Sequence, residues 1–544
     1  MIFAACRHLA RGALPAKRFL NLIGDKRGSV AITFALASTS LVLVIGCAID
    51  YSRATSLRAS LQAVTDSAAL AQVRQALVLS DTNLRAATQN QLNAAFPYGP
   101  VTITTFTVGA TRTDLQLVTS AASQNTFMKA FGRDTLTVTA TSYGKVGTDT
   151  FEIALVMDNS GSMGTSAGGA SKMQSAKDAA NQLIDVMMTS KAAGRTKISV
   201  VPFTLAVNVG STYATATWMD TQAKSSIHWT PKGTMDKPTG SRATWSRFNL
   251  LTAMGVAWGG CVEMRPDAWG TNDAAPTTAQ PDSLFVPMAA PDEPDNSGSY
   301  GYGYSGASSY PNNYLNDNGS GCSGTDITTS TQYAKAQSKV CKYTPASGKD
   351  LSGGKGPNYN CTAQALTRLS SSTTTLHGAI NAMTAYGNTN LLEGFMWGWR
   401  TLSPNLPFAD GRAYTTSGNR KIIVLLTDGM NAWDSASNHN LSVYSAFGYY
   451  GNNRLGTGAV DAPSARALMD AKTKEACTNA KAAGVSVYTV GFSVSTEPID
   501  AAGLALLKDC ATADSMAYVA NNSSEIVTVF QKIADDLGNL RLTR

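Results

Sequence analysis

Asp158, Ser160 and Ser162 stand at alternate positions of Asp158-Asn159-Ser160-Gly161-Ser162-Met163, directly after the apolar run Phe151 to Met157. A carboxylate and two hydroxyls therefore leave the end of a predicted buried strand on one tight loop, with Gly161 letting the backbone turn closely. Hard divalent cations take such oxygen ligands, Mg²⁺ in octahedral geometry. The spacing alone is weak evidence, because Asp295-Asn296-Ser297-Gly298-Ser299 repeats it after Pro291 to Pro294 and no strand. Two later segments add weight to the first match. Asn388-Thr389-Asn390 opens a helix-like stretch, Leu391 to Trp399, and the strand-like Lys421 to Leu426 ends in Thr427-Asp428-Gly429. One more hydroxyl and one more carboxylate thus arrive from two further loops.

Such loops need a sheet to converge on. Strands alternating with helices, with polar residues at the strand ends, describe an open parallel sheet that binds ligands outside the carboxyl ends of its strands. The pattern begins near Thr148, with a helix over Ser171 to Thr189 and a strand over Lys197 to Phe203. Residues 208–376 leave it for an insertion rich in Gly, Ser, Thr, Asn and Tyr, too long for a structureless loop and read as a disulfide-tied subdomain. The alternation resumes at Ala379 to Ala385. It closes with a helix from Ser464 to Ala483, a strand from Val485 to Phe492, a helix after Pro498, a strand over Met516 to Val519 and an amphipathic helix over Ser524 to Leu540.

The other end of the chain reads differently. The uncharged stretch Gly28 to Ile49 is long enough to cross a bilayer as a helix, with six basic residues before it and Asp50 after it. The positive-inside rule places residues 1–28 in the cytoplasm, residues 29–50 across the membrane and the remainder outside. A cleaved secretory signal is the competing reading. Leu57, Leu61, Val64 and Ala68 continue the helix as a stalk, and a second helix from Asp81 to Ala95 precedes strands at Val101 to Val108, Leu115 to Thr119 and Leu136 to Thr141. Residues 51–147 are thus a helical stalk with a small sheet, and residues 148–544 the larger domain; the basic leader, Arg27-Gly28, apolar helix and small sheet together resemble type IV pilin-like proteins.

The ligand set, in this order and on these elements, resembles the metal-ion-dependent adhesion site of von Willebrand factor type A domains. That resemblance implies a Rossmann-like doubly wound α/β sheet. It further implies Mg²⁺, or another divalent cation such as Mn²⁺ or Ca²⁺, at Asp158, Ser160, Ser162, Thr389 and Asp428, and a protein partner that offers the metal an acidic residue. Arg27-Gly28-Ser29-Val30-Ala31-Ile32-Thr33-Phe34, Ala48-Ile49-Asp50-Tyr51 and Leu61 to Ala71 resemble the amino-terminal region of TadE/TadG-like proteins of tight-adherence (Flp-type) pilus systems. This implies a role in pilus assembly or surface adhesion. Relatives cut after glycine carry a glutamate where this chain has Thr33, so the leader is expected to stay.

Composition narrows the alternatives. Residues 1–28 hold six basic residues against Asp25, a net +5, so only +2 of the chain's +7 lies elsewhere and no basic stripe is left for nucleic acid. Six cysteines fall in the exported part, where disulfides persist. Cys477 is expected to pair with Cys510 across one folding unit, and Cys261, Cys322, Cys341 and Cys361 among themselves. His8, His228, His377 and His439 are scattered and read as solvated surface; no H-E-x-x-H or phosphate-binding loop occurs. Gly164-Thr165-Ser166-Ala167-Gly168 matches a nucleophile motif but lies well past the strand end. The chain is read as a binding protein and not an enzyme, the rivals being a structural envelope anchor with an incidental metal site and a metal-dependent hydrolase. Two aromatic stretches, Tyr300 to Tyr314 and Trp433 to Tyr450, are candidate recognition surfaces, the second favoured as partner-facing.

Overall fold

A computed structural model describes residues 29–76, 79–110, 112–145, 150–188, 195–229, 235–295, 310–317, 322, 333–344 and 350–538. The basic leader and Tyr300, Tyr302 and Tyr304 lie outside the described residues. The chain divides into two compact units, Met1–Thr148 with Asn539–Arg544, and Asp149–Gly538.

In the first unit, α1 (Ser29–Gln75) is one uninterrupted helix, roughly 70 Å long at 1.5 Å per residue. It is the one helix among the described residues long and apolar enough to cross a membrane. Its first half leaves Phe34, Leu41, Val42, Val44, Ile45 and Ile49 exposed, whereas Ala54, Leu61, Ala68 and Ala69 in the second half are buried. That change of burial marks where the sheet begins to cover the helix. The covering elements are α2 (Asp81–Ala95) and the antiparallel strands β1 (Thr102–Val108), β2 (Asp114–Gln124) and β3 (Thr135–Lys145). The strands alternate buried and exposed residues, as a sheet with one covered face must.

The second unit is built on six strands: β4 (Thr150–Asp158), β5 (Thr196–Phe203), β6 (Thr367–Ser370), β7 (Asn419–Thr427), β8 (Ser486–Phe492) and β9 (Ala517–Ala520), in the order β6-β5-β4-β7-β8-β9. All pair in parallel except edge strand β6, which runs antiparallel to β5. This is the doubly wound order 3-2-1-4-5-6, with its switch point between β4 and β7, as expected for a von Willebrand factor A-type fold. β4 is buried on both sides: Ala154 and Val156 join one core, Ile153, Leu155 and Met157 the other. β7 divides likewise, Ile423 and Leu425 against Ile422, Val424 and Leu426. That double burial is why both strands read as unbroken apolar runs.

Helices α3 (Lys172–Met187), α6 (Thr373–Asn381) and α10 (Ser523–Gly538) cover one face. The other face carries α7 (Leu391–Leu402), α8 (Ala462–Ala482) and α9 (Ala501–Cys510), together with the insertion and its short helices α4 (Arg247–Met254) and α5 (Tyr333–Ser338). Expectation and structure differ here in two respects. β6 and the start of α6 belong to the sheet and its covering layer, so the sheet reclaims residues 367–376. The insertion is also no separate subdomain: Val209, Trp218, Leu250, Phe285 and Tyr314 share one core with Val156, Phe395 and Trp397. Disulfides Cys261–Cys361 and Cys322–Cys341 tie it internally, and Cys477–Cys510 joins α8 to α9. Buried charges tie it further, Lys342 bridging Asp292 and Asp317 while Glu263 lies between Arg247 and Arg454.

Candidate metal centre

All five expected ligands lie at the carboxyl end of the sheet, at the switch point. Asp158 ends β4, and Ser160 and Ser162 follow in a tight turn. Thr389 lies in the loop before α7, whose first turn is capped by Asn390 accepting from the Glu393 amide at 3.2 Å. Asp428 follows β7 directly.

Backbone bonds stitch the three loops together. The Gly161 amide donates to Gly387 O at 2.8 Å, the Tyr386 amide to Asn159 O at 2.8 Å, and the Ala432 amide to Thr389 O at 2.9 Å. The Asn431 side chain accepts from the Leu391 amide at 2.8 Å. The approach does not itself require a glycine at 161: a Cβ there would meet Gly387 O at 3.4 Å, an ordinary van der Waals contact.

The oxygen spacing matches a small hard cation. Ser160 Oγ and Ser162 Oγ are 3.0 Å apart, and Ser162 Oγ donates to Asp428 Oδ1 at 2.8 Å. Ligands 2.0–2.1 Å from an octahedral ion stand about 2.9 Å from their neighbours. Thr389 Oγ1 lies beside the loop that follows β7, 4.0 Å from where a Cβ on Gly429 would lie. Asp158 is more enclosed than a solvent-facing loop would make it, being fully buried. Its Oδ1 accepts from the Ser160 amide at 2.8 Å and its Oδ2 from Thr427 Oγ1 at 2.6 Å. Burial, with Asp428 adding repulsion, pushes its carboxyl up to about 7. The donor set is all oxygen and relies on hydroxyls; no group of three acidic, histidine or cysteine side chains suited to a metal occurs among the described residues.

One participant goes beyond the sequence reading. Lys172, the first residue of α3, is fully buried and donates to Asp428 Oδ2 at 2.8 Å and to Glu497 Oε2 at 2.7 Å. Burial raises the Asp428 carboxyl and Lys172 draws it back. Burial also pushes Glu497 up, but Lys172 outweighs it and holds this carboxyl below its usual range. The sequence does carry a signal: a lysine in a helix's first turn opposes the helix dipole and needs a carboxylate nearby. Lys172 follows the Ser171 cap, which accepts from the Gln174 amide at 3.1 Å.

Other sequence candidates go elsewhere. Trp433, Tyr444, Phe447, Tyr449 and Tyr450 are buried, against the partner-facing expectation, because the insertion covers them. Tyr310 and Tyr314 are buried as well. His228 is not solvated surface but sits fully buried between Asp220 Oδ2, 2.8 Å away, and the Arg247 amide at 2.9 Å. Of the second acid–serine match only Asp295 is described, and it clasps Asp317 through reciprocal backbone bonds of 2.8 and 3.0 Å.

Residues 28–73 match the family described as putative Flp pilus-assembly TadE/G-like. No curated protein matches the chain. Among solved structures, the pilus adhesin SpaC from Lactobacillus rhamnosus GG is similar at 10% identity and TM-score 0.34, over 81% of this chain and 35% of that one. The vWF domain of the type V pili tip protein Mfa5 from Porphyromonas gingivalis is similar at 10% identity and TM-score 0.32, over 72% and 95%. The pilus adhesin RrgA from Streptococcus pneumoniae is similar at 10% identity and TM-score 0.33, over 80% and 48%. The chain thus spans about a third of the SpaC chain and about half of the RrgA chain.

Proposed function

We propose that this chain, which joins a TadE/G-like amino-terminal segment to a von Willebrand factor A-type sheet, is a membrane-anchored extracytoplasmic component of tight-adherence pilus assembly or surface adhesion. It captures a protein partner through a divalent cation, Mg²⁺ before Mn²⁺ or Ca²⁺. Ser160, Ser162 and Thr389 supply hydroxyl oxygens, Asp428 a carboxylate, and Asp158 a carboxylate, directly or through water, held in place by the Ser160 amide and the Thr427 hydroxyl. The bound ion supplies an electrophilic point for a partner's carboxylate. The function is binding, not turnover. The observation that carries the reading is the convergence of Asp158, Ser160, Ser162, Thr389 and Asp428 from three loops at the switch point of the sheet.

A second reading has its own support. Lys172 already neutralises Asp428, which suits a structural anchor whose cation site is incidental. Capture of pilus or surface partners by the full-length protein separates the two, measured with Mg²⁺ and with chelator. Ser162→Ala and Asp158→Asn are the variants of choice; Asp158→Ala would remove the acceptor of the 2.6 Å bond from the Thr427 hydroxyl, which Asp158→Asn can retain. Loss of capture in chelator and in both variants is the expected result. Capture indifferent to all three leaves the anchor reading in its place.

A further inference from the structure

The tip of the β2–β3 hairpin lies beside the apolar end of α1, below the first charged residue after the span. The Phe127 ring covers Gly46 so closely that a Cβ there would stand 2.4 Å from Phe127 Cγ. Gly46 is three residues inside Ile49, about 5 Å along the helix. Asp50, buried itself, fixes this arrangement by accepting from the amides of Thr126, Phe127 and Met128 at 3.0, 2.8 and 2.8 Å. Arg53 Nη1 adds a bond to Thr126 Oγ1 at 3.0 Å. If Gly46 is in the bilayer, Phe127 is too.

The rest of the tip suits that depth. Phe131 is 38% exposed, Met128 half-buried, and Lys129 and Arg133 exposed on the same turn. Exposed Val42, Ile45 and Ile49 lie on the same side of α1 as Gly46. We propose that residues 126–133 form a lipid-contacting loop at the headgroup–acyl boundary, with Phe127, Met128 and Phe131 on the acyl side and Lys129 and Arg133 on lipid phosphates. Interfacial segments with aromatic and basic residues sit about 5–10 Å into this boundary. The proposal rests on residues 29–50 being the membrane span. It gives the extracytoplasmic unit a second membrane contact, offset from the anchor, which resists tilting.

Nitroxide labels test it in full-length protein reconstituted into phosphatidylethanolamine–phosphatidylglycerol vesicles, with Cys6 and Cys47 replaced by Ser and the disulfides intact. Labels go at Phe131→Cys, at Val42→Cys in the span and at exposed Thr82→Cys on α2. Power-saturation EPR should show Phe131 and Val42 open to oxygen and several-fold less open to a water-soluble nickel chelate than Thr82. Nickel access at Phe131 equal to that at Thr82, with Val42 still protected, overturns the loop and spares the anchor; a water-exposed Val42 overturns the anchor itself. Poor access of both reagents at Phe131 means protein packing and overturns the lipid contact. Replacing Lys129 and Arg133 by Gln should raise nickel access at Phe131, and unchanged access overturns the phosphate contacts.

Discussion

Lys172→Met should make the stability of the larger unit depend on a divalent cation. In the parent, the Lys172 ammonium lies 2.8 Å from Asp428 Oδ2, both side chains fully buried, and Asp158 is close enough to repel Asp428. Methionine keeps most of the side-chain volume and removes the charge, leaving two acidic groups in a buried site with no cation. Removing one partner of a buried pair costs about 3–5 kcal/mol. With an unfolding entropy of about 2.1 cal/mol/K per residue over Asp149–Gly538, that cost becomes a fall of about 4–6 °C in Tm. A cation at a hundred times its Kd returns about 2.7 kcal/mol, or about 3 °C. Differential scanning calorimetry of full-length parent and variant in detergent, with chelator and with Mg²⁺, reads both quantities. The parent should shift less with Mg²⁺, because its ammonium opposes the ion. A variant that melts with the parent in chelator, or gains no more from Mg²⁺, would refute the account of Lys172 as the site's internal counter-charge.

Two other outcomes are expected. Burial raises Asp158, Asp292, Glu293 and Glu393 to about 7, so the native state holds protons that the unfolded chain releases. The stability these protonated groups contribute is present below their unfolded values and lost as pH rises through 7; each carboxyl accounts for at most about 1.4 kcal/mol per pH unit between its unfolded and folded titrations. Tm in chelator should therefore fall between about pH 4.5 and 7.5 and level off above, and a profile that rises over that range would contradict those burials. Cys477→Ser should expose one alkylatable thiol more than the parent, Cys510, in the unreduced unfolded protein. Opening that 33-residue loop should lower stability by about 3–4 kcal/mol, read by urea unfolding under oxidising conditions.

The positions legible in sequence are those where one strong constraint acts on neighbouring residues. β4 and β7 are buried on both faces and so announce themselves as apolar runs; Asp158, Ser160, Ser162 and Asp428 follow directly from where those runs stop. Thr389 is found through its position before α7, whose Asn390 cap is a local signal. The Cys477–Cys510 pair is legible because α8 and α9 flank one strand. Lys172 escapes a sequence reading because its partners are 256 and 325 residues away. The insertion misleads for a similar reason. Its Gly-, Ser- and Asn-rich composition describes the loops, while its burial depends on a few large residues, Trp218, Phe285 and Tyr314, meeting α7 from far along the chain.

The burial of Trp433 to Tyr450 changes where recognition has to occur. With those rings enclosed by the insertion, the mouth of the site is left to short elements: Gly161 and the half-buried Ser162, Tyr386 at 60% exposure, and Glu497 at the end of the Lys172 pair. Tyr386 is tied to the first ligand loop through Asn159 O, so an aromatic contact there and a carboxylate at the cation would be read together. Glu497 opposes an acidic group that approaches from its own side, which leaves the Tyr386 side as the favourable approach. On the proposed binding function, a partner segment pairing an apolar or aromatic residue with one acidic residue would fit that rim, whereas a uniformly acidic surface would also meet Glu497, whose charge Lys172 already shares with Asp428.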